Sequence, residues 1–489
     1  MDKKPFYITT TLPYINAEPH IGFAMEIIRA DVLARYKKLQ GYDVFFNTGT
    51  DEHGKKIWES AQKAGIETKI FADGLSEKFK QLQSKLDLYN DIAFIRTTDE
   101  SHIKSAQDFW KVVDANGYIY KDTYQAKYCV GCELEKTDSE LVDGKCPIHP
   151  DRDIELINEE NYFFKFSEFT QPLLDYYESN KDFVRPDFRF HEIQSFVSKG
   201  LQDFPISRLK EKMPWGISVP GDDTQVMYVW FDALVNYVST LGWPKGASFE
   251  KFWEQGQTVQ FAGKDNLRQQ SAMWQAMLMA AGISPTDTIV INGFLNGPDG
   301  RKMSKSLGNV LSPDEVLKVV PVDALRFFLI HDVSSFEDSP ISLEQITNSY
   351  TAHLVNGIGN LTNRIVKMAS SYDVSVVLPS PEEVWSDTEF VSQEYRDGFE
   401  SFVPQKSLHY LFKEIRELDS FITKEQPFKK IKTDEAAAKE DVARLILNLW
   451  YIAVLLEPFM PSTSEKIQEI VLRRELPEDP IFPRLEQVI

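Results

Sequence analysis

The order of segments at the N-terminus constrains the fold of this chain more than any other feature. Residues 6–11 are β-branched or aromatic, which favours a buried strand. A proline-containing loop, residues 12–19, ends that strand. Apolar residues then recur at helical spacing from Ile21 to Leu39, and Gly41 ends the helix. Strand, loop and helix in this order predict the first βα unit of a nucleotide-binding α/β fold, in which the helix N-terminus offers free amides to phosphate.

Strand-like and helical patterns continue to alternate as far as residue 292. Further strands are predicted at residues 43–47, 92–96, 259–262 and 288–292. This alternation predicts that the nucleotide-binding α/β fold continues through these strands. The aromatic, proline-punctuated residues 161–221 interrupt it, and we interpret them as part of an insertion packed over the active site.

Acidic residues follow two of the predicted strands, where α/β sheets place ligand groups. Asp51 follows the second strand and has two interpretations: it pairs with a ligand ammonium, or it caps the helix predicted at residues 55–63. Asp265 follows a later strand and is a candidate to hydrogen-bond ribose hydroxyls. Trp230 and Tyr237 lie at helical distance and are compatible with either a core or a ligand wall.

The cysteines of the chain are confined to one short stretch. Cys129 and Cys132 form a CxxC pair, and Cys146 and His149 form a CPxH pair. Three sulfurs and one imidazole are the donors of a closed tetrahedral zinc site. Because no position is left open, we expect one structural Zn²⁺, which can contribute about 10–16 kcal/mol to folding a small knuckle.

A polar loop bracketed by glycines occupies residues 297–309. Lys302, Ser304, Lys305 and Ser306 converge in it, and ammonium and hydroxyl groups of this kind suit a polyphosphate. A solvated surface turn is the alternative interpretation.

Composition narrows the class of protein. The chain has 489 residues, 42% of them hydrophobic and 26% charged, which is typical of a globular protein with several domains. No run of residues is long enough to span a bilayer, and the N-terminus lacks the features of a secretory signal, so we expect a cytoplasmic protein. A net charge of −20 argues against nonspecific nucleic-acid coating, although a local basic groove remains compatible with it.

The pattern from Ile346 onward is helical throughout, with a break at residues 378–381. It predicts an antiparallel helical bundle. The chain ends at Ile489 with no appended β domain, from which we expect a monomer.

Several of these segments match the motifs of a known family. In chain order these are HIG at residues 20–22, which is the start of the HIGH motif, then CxxC/CPxH, WFDA at 230–233, GKDN at 263–266 and KMSKS at 302–306. The order of the motifs is the order found in the family. Over nearly the whole chain this resembles the methionyl-tRNA synthetases, which are class I aminoacyl-tRNA synthetases. The resemblance implies a Rossmann-type catalytic domain with a zinc-containing connective insertion, followed by an all-α anticodon-binding bundle. It also implies that ATP and L-methionine form methionyl-adenylate, that the methionyl group passes to initiator and elongator tRNA(Met), and that AMP and pyrophosphate are released.

The resemblance also assigns expected roles to individual residues. For the reacting α-phosphate, assisted by Mg²⁺, it implies His20, Lys302 and Lys305. For ATP it implies His20, Gly22, Glu26, Gly263, Asp265, Lys305 and Val310. For methionine it implies Leu12, Tyr14, Asp51, Trp230, Ala233, Tyr237 and Gln270. For the anticodon it implies Asn360, Arg364 and Phe428, with Lys429, Lys430 and Lys432 as local positive charge.

The chain departs from the family pattern at four of these positions. Phe23 replaces the last histidine of HIGH, Asn266 and Gln270 replace an isoleucine and a histidine, and Phe428 replaces a tryptophan. The expected divisions are 1–117 and 225–293 for the catalytic domain, 118–224 for the insertion, 294–345 for the region of the KMSKS loop, and 346–489 for the bundle. Two alternatives remain open: a class I synthetase for another apolar amino acid, and a non-catalytic RNA-binding or regulatory paralogue.

Overall fold

The computed structural model describes residues 3–136, 140–301, 303, 310–387 and 391–485. Lys302 and Lys305 lie outside these residues. Within the described part of the chain, an α/β region carries a smaller antiparallel region and is followed by a helical region. The same part of the chain contains no helix with the length and apolar character needed to cross a membrane.

The strands, in chain order, are β1 Pro5–Thr9, β2 Asp43–Thr50, β3 Ile92–Arg96, β4 Ile119–Cys129, β5 Leu134–Lys136, β6 Glu155–Phe164, β7 Val184–Arg185, β8 Phe204–Pro205, β9 Ser207–Leu209, β10 Ser218–Val219, β11 Asp222–Met227, β12 Gln257–Gly263, β13 Thr288–Asn292, β14 Leu295–Asn296 and β15 Ser339–Pro340.

The helices are α1 Ile21–Leu39, α2 Lys55–Ala64, α3 Thr68–Lys80, α4 Leu82–Lys85, α5 Glu100–Ala115, α6 Thr170–Ser179, α7 Asp187–Ser198, α8 Val229–Leu234, α9 Asn236–Ser239, α10 Ala247–Phe249, α11 Trp274–Ala280, α12 Pro313–Leu317, α13 Val322–His331, α14 Leu343–Ser349, α15 Asn360–Ser371, α16 Pro381–Ser386, α17 Gln393–Glu400, α18 Pro404–Glu425, α19 Pro427–Lys430, α20 Glu435–Leu455 and α21 Pro461–Arg473. Short 3₁₀ segments are Phe166–Phe169 and Lys264–Asn266, and π-helical segments are Glu250–Glu254, Gln269–Met273 and Tyr350–Gly359.

The main sheet is parallel, with the strand order β3-β2-β1-β12-β13-β7 among the described residues. Strand β1 therefore lies between β2 and β12. The first half of the chain adds β2 and β3 on one side of β1, and the second half adds β12 and β13 on the other side. In open α/β sheets a ligand crevice forms at such a switch point, outside the carboxyl ends of the strands. The sheet thus directs attention to the loops that follow β1 and β12.

The sheet confirms the strands predicted from the sequence and adds one. Val184 and Arg185, inside the stretch assigned to the insertion, pair with Ile289 and Val290 of β13 and form an edge of the main sheet. A strand of two residues carries no periodicity that a sequence pattern could detect. The WFDA residues form part of helix α8. The strand before them, β11, belongs to a small antiparallel sheet and not to the main sheet.

The antiparallel region is built on the long pairing of β4 with β6, flanked by β5 and β8. Its strand β4 ends at Cys129, so the predicted metal knuckle begins at the tip of this sheet. The small apolar cluster of Tyr128, Val130, Tyr228 and Val229 joins the tip to the WFDA helix, with Tyr14 and Trp230 packed against it. The knuckle is therefore attached to the catalytic region through side chains that lie beside the switch point.

Buried arginines form hydrogen bonds that connect the helical region to the α/β region. Arg326 of α13 is fully buried, donates to Asp31 Oδ2 of α1 at 2.6 Å, and donates to the carbonyl of Phe459 at 2.8 Å. Arg29 of α1 donates to Asn292 Oδ1 at 3.0 Å and to the carbonyl of Ser335 at 2.9 Å. A buried guanidinium requires partners for its donors, so these contacts fix α1, α13 and the bundle relative to one another.

Candidate active site

A cavity of about 580 Å³ opens at the switch point of the main sheet. Its wall includes all the residues within the described chain that were predicted to bind ATP or methionine: Leu12, Tyr14, His20, Gly22, Glu26, Asp51, Trp230, Ala233, Tyr237, Gly263, Asp265, Gln270 and Val310. These residues come from loops and helices far apart in the sequence. The structure brings them together around one cavity. Their roles in binding ATP or methionine remain predictions.

The HIG segment forms the N-terminus of α1. His20 is the N-cap, and its Nδ1 accepts the backbone N–H of Gly22 at 3.1 Å. A Cβ atom added to Gly22 would lie 3.0 Å from the His20 ring, so glycine leaves room for this cap. With Nδ1 acting as acceptor, the neutral imidazole carries its proton on Nε2 and therefore has an N–H donor for a phosphate oxygen.

Phe23 belongs to the hydrophobic core as well as to the cavity wall. Its side chain is 8% exposed and packs edge-on against Phe79, with ring centroids 5.4 Å apart. The last position of the HIGH motif is thus occupied by an apolar ring with a structural contact of its own. Any hydrogen bonding to phosphate in this part of the cavity must come from other groups.

One residue of the KMSKS motif and the residue that follows the loop line the same cavity as His20. The structure does not describe residue 302 or residues 304–309, which include both lysines of the motif. Met303 and Val310 are described, and both line the cavity. One residue further along, the carbonyl of Leu311 accepts the backbone N–H of Ile21 at 3.0 Å. The first helical amide of α1 is therefore bonded to the segment that ends the loop, and the two motifs meet at one edge of the cavity.

Asp51 is held at the end of β2 by its backbone. Its N–H donates to the carbonyl of Pro13 at 3.0 Å, and its carbonyl accepts from Ile15 at 3.2 Å. The alternative role as a helix cap is wrong, because the N-cap of α2 is Gly54 and no side chain caps this helix. The side chain is 7% exposed, and its Oδ1 atom is buried without a hydrogen-bond partner.

The electrostatic surroundings of Asp51 favour a cationic ligand. Burial raises the pKa of this carboxyl well above its ordinary value, and the negative charges of Asp232 and Glu133 raise it further. Burying a carboxylate with one unpaired oxygen is costly, and a ligand ammonium would reduce that cost. The site is therefore prepared for a positive charge.

Behind Asp51 lies a buried network that the sequence patterns did not reveal. Asp232 contacts Nδ1 of His53 through Oδ2 at 2.7 Å and Nε2 of His102 through Oδ1 at 2.9 Å. Burial alone would raise the pKa of Asp232, but the two histidines hold it below its ordinary value. An ionised Asp232 then keeps a negative field next to Asp51. Only its place in WFDA could have drawn attention to Asp232.

The far wall of the cavity is formed by Tyr237 and Gln270. Gln270 is buried, and its Nε2 donates to the hydroxyl of Tyr237 at 2.8 Å. Burial raises the pKa of Tyr237 far above its usual range, so the phenol stays neutral. Gln270, which departs from the family pattern, thus has a defined function in this chain: it orients the phenol beside the cavity.

The residues Glu26 and Asp265, which were predicted to bind ATP, lie on the cavity wall. Glu26 accepts from the backbone N–H of Thr11 at 2.9 Å and from the hydroxyl of Thr11 at 2.5 Å, while burial raises its pKa to about 7. A Cβ atom on Gly263 would lie 2.8 Å from Asp265 Oδ1, so glycine lets this carboxylate fold back over the loop after β12.

The four predicted zinc ligands come together at one edge of the cavity. Their donor atoms all lie within 4.8 Å of one another; Cys132 Sγ is 3.4 Å from Cys146 Sγ and 3.3 Å from His149 Nδ1. A Cβ atom on Gly131 would lie 2.4 Å from the His149 ring, which explains the glycine inside CxxC. Three sulfurs and an imidazole nitrogen at this spacing fit Zn²⁺.

The knuckle reaches the predicted methionine pocket through Glu133. This buried residue follows Cys132, adopts a left-handed backbone conformation with φ of 52°, and accepts the hydroxyl proton of Tyr14 at 2.7 Å. A non-glycine residue in this conformation costs about 1–2 kcal/mol. The hydrogen bond with Tyr14 explains why a carboxylate occupies this position. The sequence motifs did not point to Glu133.

Replacing Glu133 with alanine should raise the KM for methionine about tenfold, because loss of a charge-assisted hydrogen bond is worth about 1.5–3 kcal/mol and releases Tyr14. The measurement is the methionine dependence of ATP–pyrophosphate exchange, with zinc content determined in parallel. Tyr14→Phe should act similarly, and the double variant should be no worse than either single one. Glu178→Ala, at an exposed position, is the control; additive effects of the two variants would contradict the coupling.

The predicted anticodon residues lie on the helical region. Asn360 and Arg364 are one turn apart on α15, and Arg364 forms an ion pair with Asp419 of α18. Phe428 is 44% exposed on α19, an unusual exposure for a ring of this size. Lys430 donates to Glu425 at 3.0 Å and to Asp441 at 2.5 Å, so its charge is balanced within the bundle.

Comparison with known proteins identifies the family. The family model described as tRNA synthetases class I (M) matches residues 6–155 and 148–366. The methionine–tRNA ligase of Thermosynechococcus vestitus is 39% identical over 476 residues, covering 94% of this chain and 89% of the relative. The chain belongs to the methionine–tRNA ligase family. The ligase of Thermotoga maritima is 37% identical, covering 96% of this chain and 76% of its own length.

Solved structures of methionine–tRNA ligases agree with this assignment. The methionyl-tRNA synthetase of Mycobacterium tuberculosis in complex with methionyl-adenylate matches with a TM-score of 0.89 and 32% identity, covering 98% of this chain and 100% of that one. The apo form of the same enzyme matches with a TM-score of 0.82 and 28% identity.

Proposed function

We propose that this chain activates L-methionine with ATP and transfers the methionyl group to tRNA(Met), as its family membership indicates. In the first step a methionine carboxylate oxygen attacks the α-phosphorus, the bond to the bridging oxygen breaks, and pyrophosphate leaves. In the second step a terminal ribose hydroxyl of tRNA attacks the carbonyl of methionyl-adenylate, and AMP leaves.

The observation that carries the proposal is the shared cavity at the switch point. Asp51 and the aromatic wall of Tyr14, Trp230 and Tyr237 lie in the same cavity as His20, Met303 of the KMSKS motif and Val310 after the loop. A buried, unpaired carboxylate oxygen is suited to an α-ammonium group, and aromatic rings contact a thioether sulfur favourably by about 0.3–1.5 kcal/mol. We therefore assign the methionine to the Asp51 side and the nucleotide to the α1 side.

The charge of the described cavity wall supports a role for the KMSKS loop in binding ATP. The wall carries the acidic residues Glu18, Glu26, Asp51, Glu133 and Asp265 against the basic residues Lys56 and Lys136. A triphosphate entering such a space needs added positive charge. We propose that Lys302 and Lys305 supply it, together with Mg²⁺ bound to the phosphates, which neutralises charge as they react.

His20 and the α1 N-terminus are proposed to orient the reacting phosphate. His20 is the N-cap of α1 and so lies at the positive end of the helix dipole, where a phosphate is favoured. Asp265 is proposed to bind ribose hydroxyls, with Gly22, Gly263 and Val310 as nucleotide contacts. The protein contributes position and charge stabilisation, which are the principal catalytic effects in phosphate-centred reactions of this type.

The knuckle and the bundle are proposed to have supporting functions. Cys129, Cys132, Cys146 and His149 would hold one structural Zn²⁺, which would fix the fold of the knuckle. Asn360 and Arg364 are proposed to read anticodon bases, and the exposed ring of Phe428 to stack on one of them. Arg364 would have to exchange its ion pair with Asp419 for a base edge.

Amino-acid-dependent ATP–pyrophosphate exchange tests the proposed function. Exchange that requires methionine, followed by charging of tRNA(Met), is the expected result. Exchange supported by isoleucine, valine or leucine instead would assign the chain to another apolar substrate. No exchange with any amino acid would indicate a non-catalytic RNA-binding role.

Replacing Lys305 with alanine should slow adenylate formation about 10²–10³-fold, the usual effect of removing one charge-stabilising donor from a reacting centre. The measurement is single-turnover adenylate formation, with the thermal unfolding midpoint as a check on folding. Lys318→Ala, an exposed lysine close by in the sequence, is the matched control. An unchanged rate would remove Lys305 from the mechanism.

A further inference from the structure

A second group of metal-ligating side chains lies at the junction between the α/β region and the helical bundle. It consists of His331 at the end of α13, Asp332 immediately after it, and His353 in the π-helical segment Tyr350–Gly359. Their donor atoms lie within 4.8 Å of one another. None of these residues lines the active-site cavity or belongs to the cysteine knuckle.

The geometry of this group approaches that of a metal centre. His331 Nδ1 is buried, makes no hydrogen bond of normal geometry, and lies 3.4 Å from Asp332 Oδ1. A tetrahedral ion with ligands at about 2.1 Å requires donor atoms about 3.4 Å apart, so this pair already has the required spacing. His353 is partly exposed, which allows its ring to rotate toward the pair.

Neighbouring side chains hold two of the ligands in the required orientation. Ser349 donates its hydroxyl proton to Asp332 Oδ2 at 2.5 Å, which leaves Oδ1 directed at His331. Phe327 stacks on the His331 ring with centroids 4.5 Å apart, and His409 packs against it edge-on at 4.5 Å. Such outer contacts orient metal ligands and raise metal affinity.

The charge around the group also accommodates a cation. Asp332 supplies a carboxylate, and the C-terminus of α13 supplies the negative end of a helix dipole. Arg416 of α18 is the cation whose charge reaches His353 and His409, and it opposes an ion at this position. The carboxylate ligand and the helix end act against that repulsion.

We propose that His331, Asp332 and His353 form a binding site for a divalent transition-metal ion of the imidazole-preferring class, such as Zn²⁺, Co²⁺ or Ni²⁺. Two imidazoles and one carboxylate suit these ions and leave a coordination position for water. The bound ion would join the end of α13 to the first helix of the bundle. It would therefore stiffen the connection between the catalytic and helical regions.

Titration of the full-length protein with Co²⁺ tests the site, after the knuckle has been loaded with Zn²⁺ and excess metal removed. One further equivalent should bind without the intense thiolate-to-cobalt absorption that a cysteine site would give. It should raise the thermal unfolding midpoint and slow amide exchange in residues 343–359. His353→Ala should weaken the binding at least about tenfold, as loss of a ligand or its support does elsewhere.

His191→Ala, at an exposed histidine outside the group, is the matched control and should bind Co²⁺ normally. Methionine-dependent exchange by His353→Ala should equal that of the unchanged protein, since the group lies outside the cavity. Absence of a second equivalent, or a second equivalent that His353→Ala leaves unaffected, would refute the site. A second equivalent with thiolate absorption would place the ion at the knuckle and also refute it.

Discussion

Replacing Asp51 with asparagine should raise the KM for methionine about 100-fold, because truncating a buried, hydrogen-bonded charge pair costs about 2–5 kcal/mol. The carboxylate is 7% exposed and one of its oxygens has no partner in the described structure. Asparagine preserves the size of the side chain and removes the charge that an ammonium would contact. The KM for ATP should change much less, since Asp51 lies on the methionine side.

The same substitution should stabilise the ligand-free protein. The folded-state pKa of Asp51 is raised by burial and by Asp232 and Glu133, so the ionised carboxylate weakens the fold. Its contribution to the free energy of unfolding is present at low pH and is lost as the pH rises through the raised pKa. The stability advantage of Asp51→Asn should therefore grow with pH. Chemical denaturation of both proteins over a series of pH values measures it.

The affinity for methionine should depend on pH in the direction opposite to the stability contribution of Asp51. Below the raised pKa the carboxyl is protonated and cannot form an ion pair, so the affinity of the unchanged protein should fall as the pH falls. Asp51→Asn should show no such dependence. Asp91→Asn, an exposed aspartate, is the matched control for the charge change. A KM for methionine within about threefold of the unchanged protein, less than one kcal/mol, would exclude Asp51 as the ammonium partner.

The sequence indicated the segments that meet at the cavity because its signals are short and local. HIG at a helix start, CxxC with CPxH, and acidic residues after strands each reflect a local chemical requirement. The sheet then places these segments together by the general rule for α/β folds. Asp51, Asp265, Trp230 and Tyr237 were candidates from the sequence pattern alone, whereas pocket residues such as Leu12, Ala233 and Gln270 came only from the resemblance to the family.

The features that the sequence did not predict depend on tertiary contacts. The contact of Asp232 with His53 and His102 joins three elements that are separate in the chain. The edge strand Val184–Arg185 is too short to show alternation. The capping role considered for Asp51 failed because the chain turns at Gly54, whose φ of 110° only glycine adopts readily.

If the cysteine knuckle holds the proposed zinc ion, its loss should affect folding and methionine binding together. Replacing Cys146 with serine removes a fully buried side chain of the proposed ligand set, and a structural zinc site of this type contributes about 10–16 kcal/mol. We expect zinc content to fall and amide exchange to accelerate across residues 128–149. Because Gly131, Cys132, Glu133 and His149 line the cavity, the KM for methionine should also rise.

The coupling has a specific structural route, which a second variant can isolate. Glu133 directs the hydroxyl of Tyr14, so an unfolded knuckle should weaken methionine binding at least as much as Glu133→Ala does. Adding Glu133→Ala to Cys146→Ser should therefore have little further effect. His149→Ala should resemble Cys146→Ser, while His191→Ala should retain both zinc and affinity. Normal amide protection of the knuckle in zinc-free protein would show that hydrophobic contacts, and not the metal, maintain its fold.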